Sequence, residues 1–446
     1  MIPGILLLFG AFAQISVLTP ATLKSALQAL NPGQSELRSS LSNFGNPPYG
    51  SSILGPVLLP KDPFACRTDL QLPGLEPGIA LLLRGECEFA QKVRNAEKAG
   101  ATAVLVIDNK EELVETVIMG DRSQGNEIAI PSFLIAKRDG ELLKSYVEKG
   151  EVVLKLHFEV RRSEYVVMEL WYSANEWKTR KFVEEFEQFG RKFTKNLLEL
   201  HPRIALWNCY ECQEANFTLD KADCVSGGRY CAPDPDGSGP LSGRHVLMED
   251  LRQLCVFQST VREDSYGKWF SYLKVASELC ASNLTEHCAA EAMAKTAVDR
   301  EKVGKCVEES FYPGDPVYAD NYLLGKELNA WKTLSPGFFP ALLLNSVPYR
   351  GDWEGLAVAK ALCASFSIHP AVCQDLNREE AIETEKPGQA VWAVIGVSAV
   401  LMCVAMIGYR GYMRRRVRKE VEKEVKEALR TYQGSEAELS SRAIAI

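Results

Sequence analysis

The sequence has few histidines and no excess of basic residues. Five of its 446 residues are histidine, which argues against chemistry built on this residue, whether catalytic or zinc-binding. Lysine and arginine total 51 against 58 aspartates and glutamates, a net charge of -7, so the basic footprint of a nucleic-acid-binding protein is missing. The 46% hydrophobic and 24% charged fractions are ordinary for globular proteins. They exclude a wholly disordered chain and a polytopic membrane protein.

The motifs of the common hydrolases are absent as well. Neither H-E-x-x-H nor G-x-S-x-G occurs in the chain, so nothing in it indicates a metallopeptidase or a serine hydrolase. Asp234 and Asp236 lie in an acidic turn between prolines, a pattern more typical of a solvated loop than of a calcium site. We therefore predict that the protein is not an enzyme, and we predict no catalytic residue, no metal site and no cofactor.

Cysteines are numerous and unevenly placed. Twelve of the thirteen lie between Cys66 and Cys373, whereas Cys403 lies inside a later apolar run. An even number outside that run fits a disulfide framework in an oxidising compartment, although the sequence does not give the pairing. The one C-x-x-C, Cys209 to Cys212, has no second cysteine or histidine pair near it and is interpreted as structural. The predicted disulfide cysteines are Cys66, Cys87, Cys209, Cys212, Cys224, Cys231, Cys255, Cys280, Cys288, Cys306, Cys363 and Cys373.

Long hydrophobic runs are scarce, and the two present predict the topology. Residues 2–17 form a short apolar run with a small-x-small pattern at residues 11–13, which predicts a signal peptide of residues 1–13. The run has no Lys or Arg before it, and the alternatives are an uncleaved anchor or a buried strand. Residues 390–409 are 20 residues without a charge, enough to cross ~30 Å of hydrocarbon. Six basic residues follow between 410 and 419 and predict a cytosolic C-terminus.

These segments predict a single-pass type I membrane protein. Residues 14–389 would face the lumen, with a polar stalk at 377–389, and residues 410–446 would form a cytosolic tail. Two Asn-x-Thr triplets place predicted glycosylation sites at Asn216 and Asn283, both on the lumenal side.

The first lumenal domain, residues 17–162, alternates between strand and helix patterns. Strands are predicted at residues 79–83, 103–107, 131–135 and 152–160, and helices at 90–100 and 142–148. The string R-G-E-C-E-F at 84–89, the helix that follows it and I-P-S-F-L-I at 130–135 resemble a protease-associated domain. The earlier string N-F-G-N-P-P-Y-G at 43–50 is more specific, and it resembles the opening of the vacuolar sorting receptors of plants and protists.

That resemblance implies a cargo-binding loop. In the family, the first domain binds sorting peptides of soluble proteins, and the loop matching Arg84, Gly85, Glu86, Cys87, Glu88 and Phe89 is implicated in binding. Arg84 would donate to a peptide carboxylate or carbonyl, and Gly85 would let a backbone approach closely. A disulfide from Cys87 to Cys66 would stiffen the loop. The alternative is a solvated Arg84 beside a purely structural disulfide.

The second lumenal domain, residues 163–376, resembles a thioredoxin-like fold. Strands are predicted at 165–171 and 203–207, helices at 178–198 and 353–366, and a proline-started strand at 340–344. In that fold the proline peptide bond is usually cis, so we predict a cis bond before Pro340. An enzyme of this type needs a C-x-x-C after its first strand, but residues 171–178 contain no cysteine. The domain is therefore predicted to be redox-inactive.

A Cys-rich, mostly helical insert, residues 209–330, separates the two halves of this fold. Its strings at 228–235 and 250–257 closely resemble the central region of vacuolar sorting receptors, and the resemblance covers about residues 40–376. The predicted fold class is mixed α+β and α/β: a protease-associated domain, a thioredoxin-like domain with a helical insert, and one transmembrane helix.

The chain departs from the family in two places. The Cys-rich, calcium-binding EGF-like repeats of the plant members do not occur between Cys373 and the predicted span. Tyr412 and Tyr432 both lack the bulky apolar residue that a clathrin-adaptor signal carries three positions later. The tail is instead predicted to be a charged helix, 414–430, with Val417, Val421, Val425 and Leu429 at i+4 spacing. This stripe would contact a partner helix or a second copy of the chain. The alternative is a solvated juxtamembrane helix that rests on anionic lipid.

The combined features predict a cargo receptor. It would bind sorting peptides of soluble proteins in the Golgi lumen and carry them through endosomes to a vacuole or lysosome-like compartment. Cytosolic coat or adaptor proteins would read its tail. The alternative function is a redox-inactive thioredoxin-like lumenal chaperone or tether of the secretory pathway.

Overall fold

The computed structural model describes residues 13–74, 76–121, 125, 127–209, 223–237, 239–262, 266–314, 318–334, 339–376, 398 and 402–426. Residues 1–374 form one compact unit and residues 375–446 a second. The predicted stalk, Cys212, Asn216 and most of the predicted signal peptide lie outside the described residues.

An eight-stranded mixed sheet forms the N-terminal domain. Its strand order is β2-β1-β8-β4-β5-β6-β7-β3. The strands are β1 (Ala13–Thr19), β2 (Glu36–Leu37), β3 (Ser39–Leu41), β4 (Ser52–Leu58), β5 (Ile79–Leu83), β6 (Ala103–Ile107), β7 (Ser132–Ile135) and β8 (Val153–Phe158). The helices are α1 (Ala21–Leu30), α2 (Phe89–Lys98) and α3 (Lys137–Val147). Strand β1 begins at the residue after which cleavage is predicted, and the cleavage itself stays a prediction.

Four parallel strands lie at the centre of this sheet. Strands β4, β5, β6 and β7 pair side by side, and β5 aligns Leu83 with Ile107 of β6. Both strands are apolar along their whole length because the sheet is covered on both faces. One core contains Leu81, Leu105 and the buried alternate residues of β1 and β8, and the other contains Leu82, Val106 and the inner face of α2. The C-terminal ends of the parallel strands therefore meet at one edge of the sheet.

The second domain has a four-stranded sheet in the order β10-β9-β13-β14. Its strands are β9 (Val166–Tyr172), β10 (Leu198–Ile204), β13 (Ala341–Leu344) and β14 (Val347–Pro348), and its flanking helices are α4 (Trp177–Gly190) and α10 (Gly355–Ala364). The Phe339–Pro340 peptide bond is cis. Helix α4 ends at Gly190 and β10 begins at Leu198, so the helix is shorter and the strand earlier than the sequence pattern predicts. A side chain at Gly190 would meet the Phe270 ring, with its Cβ 2.6 Å from the ring edge.

Disulfides cross-link the elements of the helical insert. The hairpin of β11 (Cys224–Val225) and β12 (Tyr230–Cys231) precedes helices α5 (Gly243–Thr260), α6 (Gly267–Leu279), α7 (Glu286–Lys295), α8 (Arg300–Ser310) and α9 (Tyr322–Leu334). Disulfides join Cys224 to Cys231, Cys255 to Cys306, Cys280 to Cys288 and, after the insert, Cys363 to Cys373. Cys209 is also disulfide-bonded.

Directed hydrogen bonds connect the two domains of the first unit. The hydroxyl of Tyr49 donates to the Arg350 carbonyl at 2.8 Å, and the Arg350 amide donates back to that hydroxyl at 2.8 Å. The Asp352 amide donates to the Gly45 carbonyl at 2.7 Å, and Lys178 pairs with Asp121 at 3.1 Å. Tyr49 and Gly45 belong to the N-F-G-N-P-P-Y-G string, which therefore forms part of the junction between the domains.

In the second unit, residues 402–426 form a continuous helix whose side chains are exposed along its length. Among the described residues, no helix combines the length and the apolar character needed to cross a bilayer. Most of the predicted span at 390–409 lies outside those residues. Cys403, within the helix, is not disulfide-bonded.

Candidate functional site

The loop from Arg84 to Glu88 lies at the C-terminal edge of the parallel strands. It connects the end of β5 to the start of α2, and Asp108 follows the end of the adjacent strand β6. The Arg84 amide donates to the Ile107 carbonyl at 3.0 Å, which holds the start of the loop against β6. The six residues predicted as a loop therefore lie together, with Phe89 as the first residue of α2.

The loop backbone makes a very tight turn. The Cys87 amide donates to the Gly85 carbonyl at 2.8 Å, which closes a γ-turn with Glu86 at its centre. Glu86 has φ +66° and Gly85 has φ +122°. A positive φ is strained for glutamate, whereas Gly85 has no Cβ to clash. The turn leaves the Glu86 side chain exposed to solvent.

Arg84 is held by two carboxylates. Its Nη1 atom donates to Oδ1 of Asp108 and to Oε1 of Glu112, each at 2.8 Å. Its guanidinium also lies 5.7 Å from the centre of the Phe89 ring. Partial burial alone would lower the pKa of Arg84, but its hydrogen bonds to Asp108 and Glu112, together with their negative charges, outweigh burial and raise it. Arg84 is thus a fixed cation, not a freely solvated side chain.

A disulfide ties the loop to the turn that precedes β5. Cys66 and Cys87 are bonded, with their Cα atoms 5.8 Å apart. Three side chains of α2 bind the carbonyl oxygens of this turn: Lys92 that of Phe64 at 2.5 Å, Asn95 that of Ala65 at 2.8 Å and Gln91 that of Cys66 at 2.7 Å. We call Gln91, Lys92 and Asn95 the α2 clamp. It fixes the disulfide, and through it the loop.

Lys92 is the charged member of the clamp. Its side chain is fully buried, and its Nζ lies 5.3 Å from the centre of the Phe64 ring. Burial lowers the pKa of Lys92 to about 8, and the negative charges of Glu86 and Asp62 oppose that shift. Lys92 therefore links the electrostatics of the clamp to the loop residue Glu86.

Sequence patterns alone did not identify Asp108, Glu112 or the α2 clamp. The signal for Asp108 is present, because a charged residue directly follows the apolar run of β6, just as Arg84 follows that of β5. The sequence does not show that β5 pairs with β6, and this pairing is what places Arg84 and Asp108 side by side.

The position of the thioredoxin C-x-x-C is occupied by a cysteine-free loop between β9 and α4. The carboxylate of Asp250, from α5 of the insert, accepts from the Ala174 amide at 2.6 Å and the Ser173 hydroxyl at 3.5 Å. Burial raises the pKa of Asp250 well above its ordinary range. Glu176 caps α4 by accepting from the Thr179 amide at 2.6 Å. The loop has no thiol for exchange, and among the described residues no His, Cys, Asp and Glu side chains group into a metal site.

Two family models match the chain. The vacuolar sorting receptor thioredoxin-like domain matches residues 166–363, and the PA domain, the protease-associated domain, matches residues 53–143. The resemblance identified from the sequence is confirmed for both domains. The second match includes the whole Arg84 to Phe89 loop.

Relatives that match about three quarters of the chain include vacuolar sorting receptors of plants. Vacuolar-sorting receptor 4 of Arabidopsis thaliana is 33% identical over 383 residues, which are 76% of this chain and 59% of that protein. Vacuolar-sorting receptor 1 of Pisum sativum is 33% identical over 374 residues, 75% of this chain and 58% of that protein. The chain thus spans about three fifths of the length of the curated relatives it matches. A solved reduced DsbA1 from Neisseria meningitidis aligns at 12% identity over 49% of this chain and 89% of its own, with a TM-score of 0.28, too remote to carry an argument.

Proposed function

The chain is related to the vacuolar sorting receptors through its PA and thioredoxin-like domains, and from this premise we propose that it is a cargo receptor. Its cargo would be soluble proteins of the secretory pathway, recognised by a sorting peptide in the Golgi lumen. It would deliver them through endosomes to a vacuole or lysosome-like compartment. The relatives are receptors and not enzymes, and the loop at the thioredoxin position has no cysteine, so the proposal includes no catalytic step.

One observation carries the proposal: the Arg84 to Phe89 loop is held in place before any ligand binds. The disulfide to Cys66, the α2 clamp and the bond from the Arg84 amide to Ile107 hold it at three points. Ordering a loop on binding costs conformational entropy, and a loop fixed in advance avoids that cost. Such a loop at the edge of a rigid sheet is suited to recognise a short extended peptide.

Each loop residue has a proposed role. Arg84 binds a carbonyl or carboxylate of the peptide, using guanidinium donors other than the Nη1 hydrogens that reach Asp108 and Glu112. Gly85 lets the peptide backbone approach, and Phe89 offers an apolar contact. Cys87 fixes the turn, while Glu86 and Glu88 give the rim of the site a negative charge.

The membrane topology belongs to the same proposal. A signal peptide of residues 1–13, a span at 390–409 and a cytosolic tail would make the chain a single-pass type I protein. Coat or adaptor proteins would then bind the tail, and Asn216 and Asn283 would carry glycans.

Capture of soluble cargo by the purified full-length chain tests the proposal. The chain is incubated with soluble protein from the secretory compartments of its source cells, and the bound proteins are identified by mass spectrometry. Arg84→Lys keeps the charge beside Asp108 but removes the planar fork, so we expect the captured set to fall sharply. Arg67→Lys changes an exposed arginine of the same domain and serves as the matched control. If the unchanged chain captures nothing, the proposal fails.

The alternative, a redox-inactive chaperone or tether, has one observation in its favour. The cysteine-free loop is held by a buried carboxylate, Asp250, and so forms a stable surface at the usual thioredoxin position. In that case capture would depend on the second domain, and Arg84→Lys would retain every client. Localisation separates the two as well, because a tether would stay in the endoplasmic reticulum while a receptor cycles through the Golgi and endosomes.

A further inference from the structure

The Cys66–Cys87 disulfide has a cation beside one of its two sulfurs. The Nζ atom of Lys92 lies 3.7 Å from Sγ of Cys66 while it donates to the Phe64 carbonyl at 2.5 Å. Because burial lowers the pKa of Lys92 only to about 8, this side chain is an ammonium at neutral and acidic pH. A neighbouring cation lowers the pKa of a thiol and stabilises its thiolate. Cys66 is therefore the better leaving group of the two cysteines.

The residue before each cysteine has a left-handed backbone. Ala65 has φ +52° and Glu86 has φ +66°, and neither is a glycine. Residues in this region are strained, and they keep the conformation only where the surrounding structure holds them there. The disulfide joins the residues that directly follow them, Cys66 and Cys87, so its opening would let this strain relax. A disulfide whose opening relieves strain is reduced more easily than a purely structural one.

The two ends of the disulfide are held unequally. The α2 clamp fixes the Cys66 end, since the carbonyl of Cys66 accepts from Gln91 at 2.7 Å and that of Ala65 accepts from Asn95 at 2.8 Å. The Cys87 end lies in the γ-turn, which the bond from its amide to the Gly85 carbonyl closes. Both cysteines are partly exposed to solvent, which gives a small thiol access to the bond between them.

We propose that this disulfide is a thiol-exchange site, at which a low-molecular-weight thiol attacks Sγ of Cys87 and Cys66 leaves as a thiolate beside Lys92. The attacking thiol gives its proton to solvent and forms a mixed disulfide with Cys87, while the electron pair of the broken S–S bond goes to Cys66. A second thiol attacks the sulfur of the first, and Cys87 leaves and takes a proton from solvent. Two thiols are thus oxidised to one disulfide as the protein disulfide is reduced.

Exchange would release one of the three points that hold the Arg84 to Phe89 loop. The bond from the Arg84 amide to the Ile107 carbonyl and the α2 clamp do not involve the disulfide sulfurs, so they can persist. The γ-turn, however, would lose its covalent link to Cys66. The inference is independent of the proposed function, because thiol exchange is measured without any cargo.

Equilibrium with glutathione tests the role of Lys92. The purified full-length chain is equilibrated at pH 7 with increasing ratios of reduced to oxidised glutathione, alkylated and analysed by peptide mass spectrometry. We expect the opening constant of the unchanged chain to be about tenfold larger than that of Lys92→Met, a shift of ~30 mV. Lys92→Arg keeps a cation and should retain most of this difference. Equal opening constants in the unchanged chain and Lys92→Met overturn the inference.

Two controls separate this effect from a general loosening of the chain. Lys98→Met removes an exposed lysine of the same helix and should match the unchanged chain. The buried Cys280–Cys288 disulfide of the insert is measured in the same samples and should open to the same extent with and without Lys92. A parallel change at that disulfide would mean that Lys92→Met acts on the whole chain, which also overturns the inference.

The position of the mixed disulfide tests the direction of attack. When the reaction of the unchanged chain is quenched early, glutathione should be found on Cys87 and the alkyl group on Cys66. Glutathione mainly on Cys66 would mean that the thiolate beside Lys92 is not the leaving group, and the inference fails.

The thiol of Cys66 gives a test that needs no Lys92 variant to fold. In Cys87→Ser, alkylation of Cys66 should reach half of its maximal rate at a pH below the ordinary thiol pKa of about 8.5. The ammonium of Lys92 lowers this midpoint, whereas Glu86 and Asp62, whose negative charges also act on that ammonium, oppose the shift. The neighbouring Arg67 is paired with Asp69. A midpoint at or above 8.5 overturns the inference.

Discussion

The ammonium of Lys92 lies 3.7 Å from the Sγ atom of Cys66, so a buried lysine touches the disulfide that anchors the candidate loop. Lys92 comes from helix α2, and its main partner is the Phe64 carbonyl two residues before that cysteine. One side chain therefore supports both the turn before β5 and the loop after it. Residues outside the Arg84 to Phe89 motif thus help set its shape.

Lys92 should make the stability of the folded chain increase with pH. Its pKa is lowered to about 8 in the folded chain, against 10.5 ordinarily, so the folded state releases this proton at lower pH than the unfolded state. Its contribution to stability is fully present above pH 10.5 and is lost as the pH falls through 8. We expect the unfolding free energy of the unchanged chain, relative to Lys92→Met, to rise between pH 8 and 10. The rise should be a fraction of the limit of ~1.4 kcal/mol per pH unit, because the negative charges of Glu86 and Asp62 stabilise the ammonium in the folded chain.

Urea unfolding at several pH values measures this difference. Lys98→Met, which removes an exposed lysine of the same helix, should follow the unchanged chain at every pH. A parallel pH dependence in the unchanged chain and Lys92→Met would contradict the assignment.

The Cys66–Cys87 disulfide should affect binding beyond its effect on stability. It closes a loop with a sequence separation of 21, so replacing both cysteines by alanine should lower the unfolding free energy by ~3 kcal/mol. Because Cys87 fixes the γ-turn, we also expect weaker capture of peptides at temperatures where the variant is folded. Removal of the Cys280–Cys288 disulfide, with a separation of 8, should cost about 2.5 kcal/mol but leave capture unchanged. Equal capture by both variants would argue against a positioning role.

Asp250 should make the stability of the folded chain decrease as the pH rises. Burial raises its pKa above the ordinary 3.8, so its contribution to stability is fully present below pH 3.8 and is lost as the pH rises through the raised value. Asp250→Asn keeps an acceptor for the Ala174 amide and a donor for the Ser173 hydroxyl but carries no charge. We expect this variant to gain stability over the unchanged chain as the pH rises from 4 to 7, measured by thermal unfolding. A constant difference across this range would mean that Asp250 stays charged in the folded chain.

The loop could be predicted from a short string of the sequence. The residues that surround it could be identified only from the three-dimensional fold. The Arg84 to Phe89 string is contiguous, and the apolar runs of β5 and β6 are short and clear. Asp108 and Lys92 reach the loop only because β5 pairs with β6 and because α2 crosses back over the sheet. Strand β4 was not predicted, because Gly55 and Pro56 interrupt its pattern. Helix α3 begins at Lys137, before the predicted start at residue 142, because its polar first turn shows no apolar pattern in the sequence.

The glycosylation triplet at Asn283 overlaps a helix cap, and the overlap allows a sharp test. Asn283 is exposed in the turn before α7, while Thr285 is the N-cap residue of that helix, its hydroxyl accepting from the Cys288 amide at 3.3 Å. In a secretory host, Asn283→Gln should remove a glycan without lowering the stability of the unglycosylated chain. Thr285→Ala should remove the glycan and also cost ~1 kcal/mol, because the cap is lost. Thr285→Ser keeps both the triplet and the cap, so it should resemble the unchanged chain.

Mass spectrometry measures the glycan, and urea unfolding after enzymatic deglycosylation measures the loss of stability. An unmodified Asn283 in the unchanged chain would contradict the predicted lumenal position of this helix.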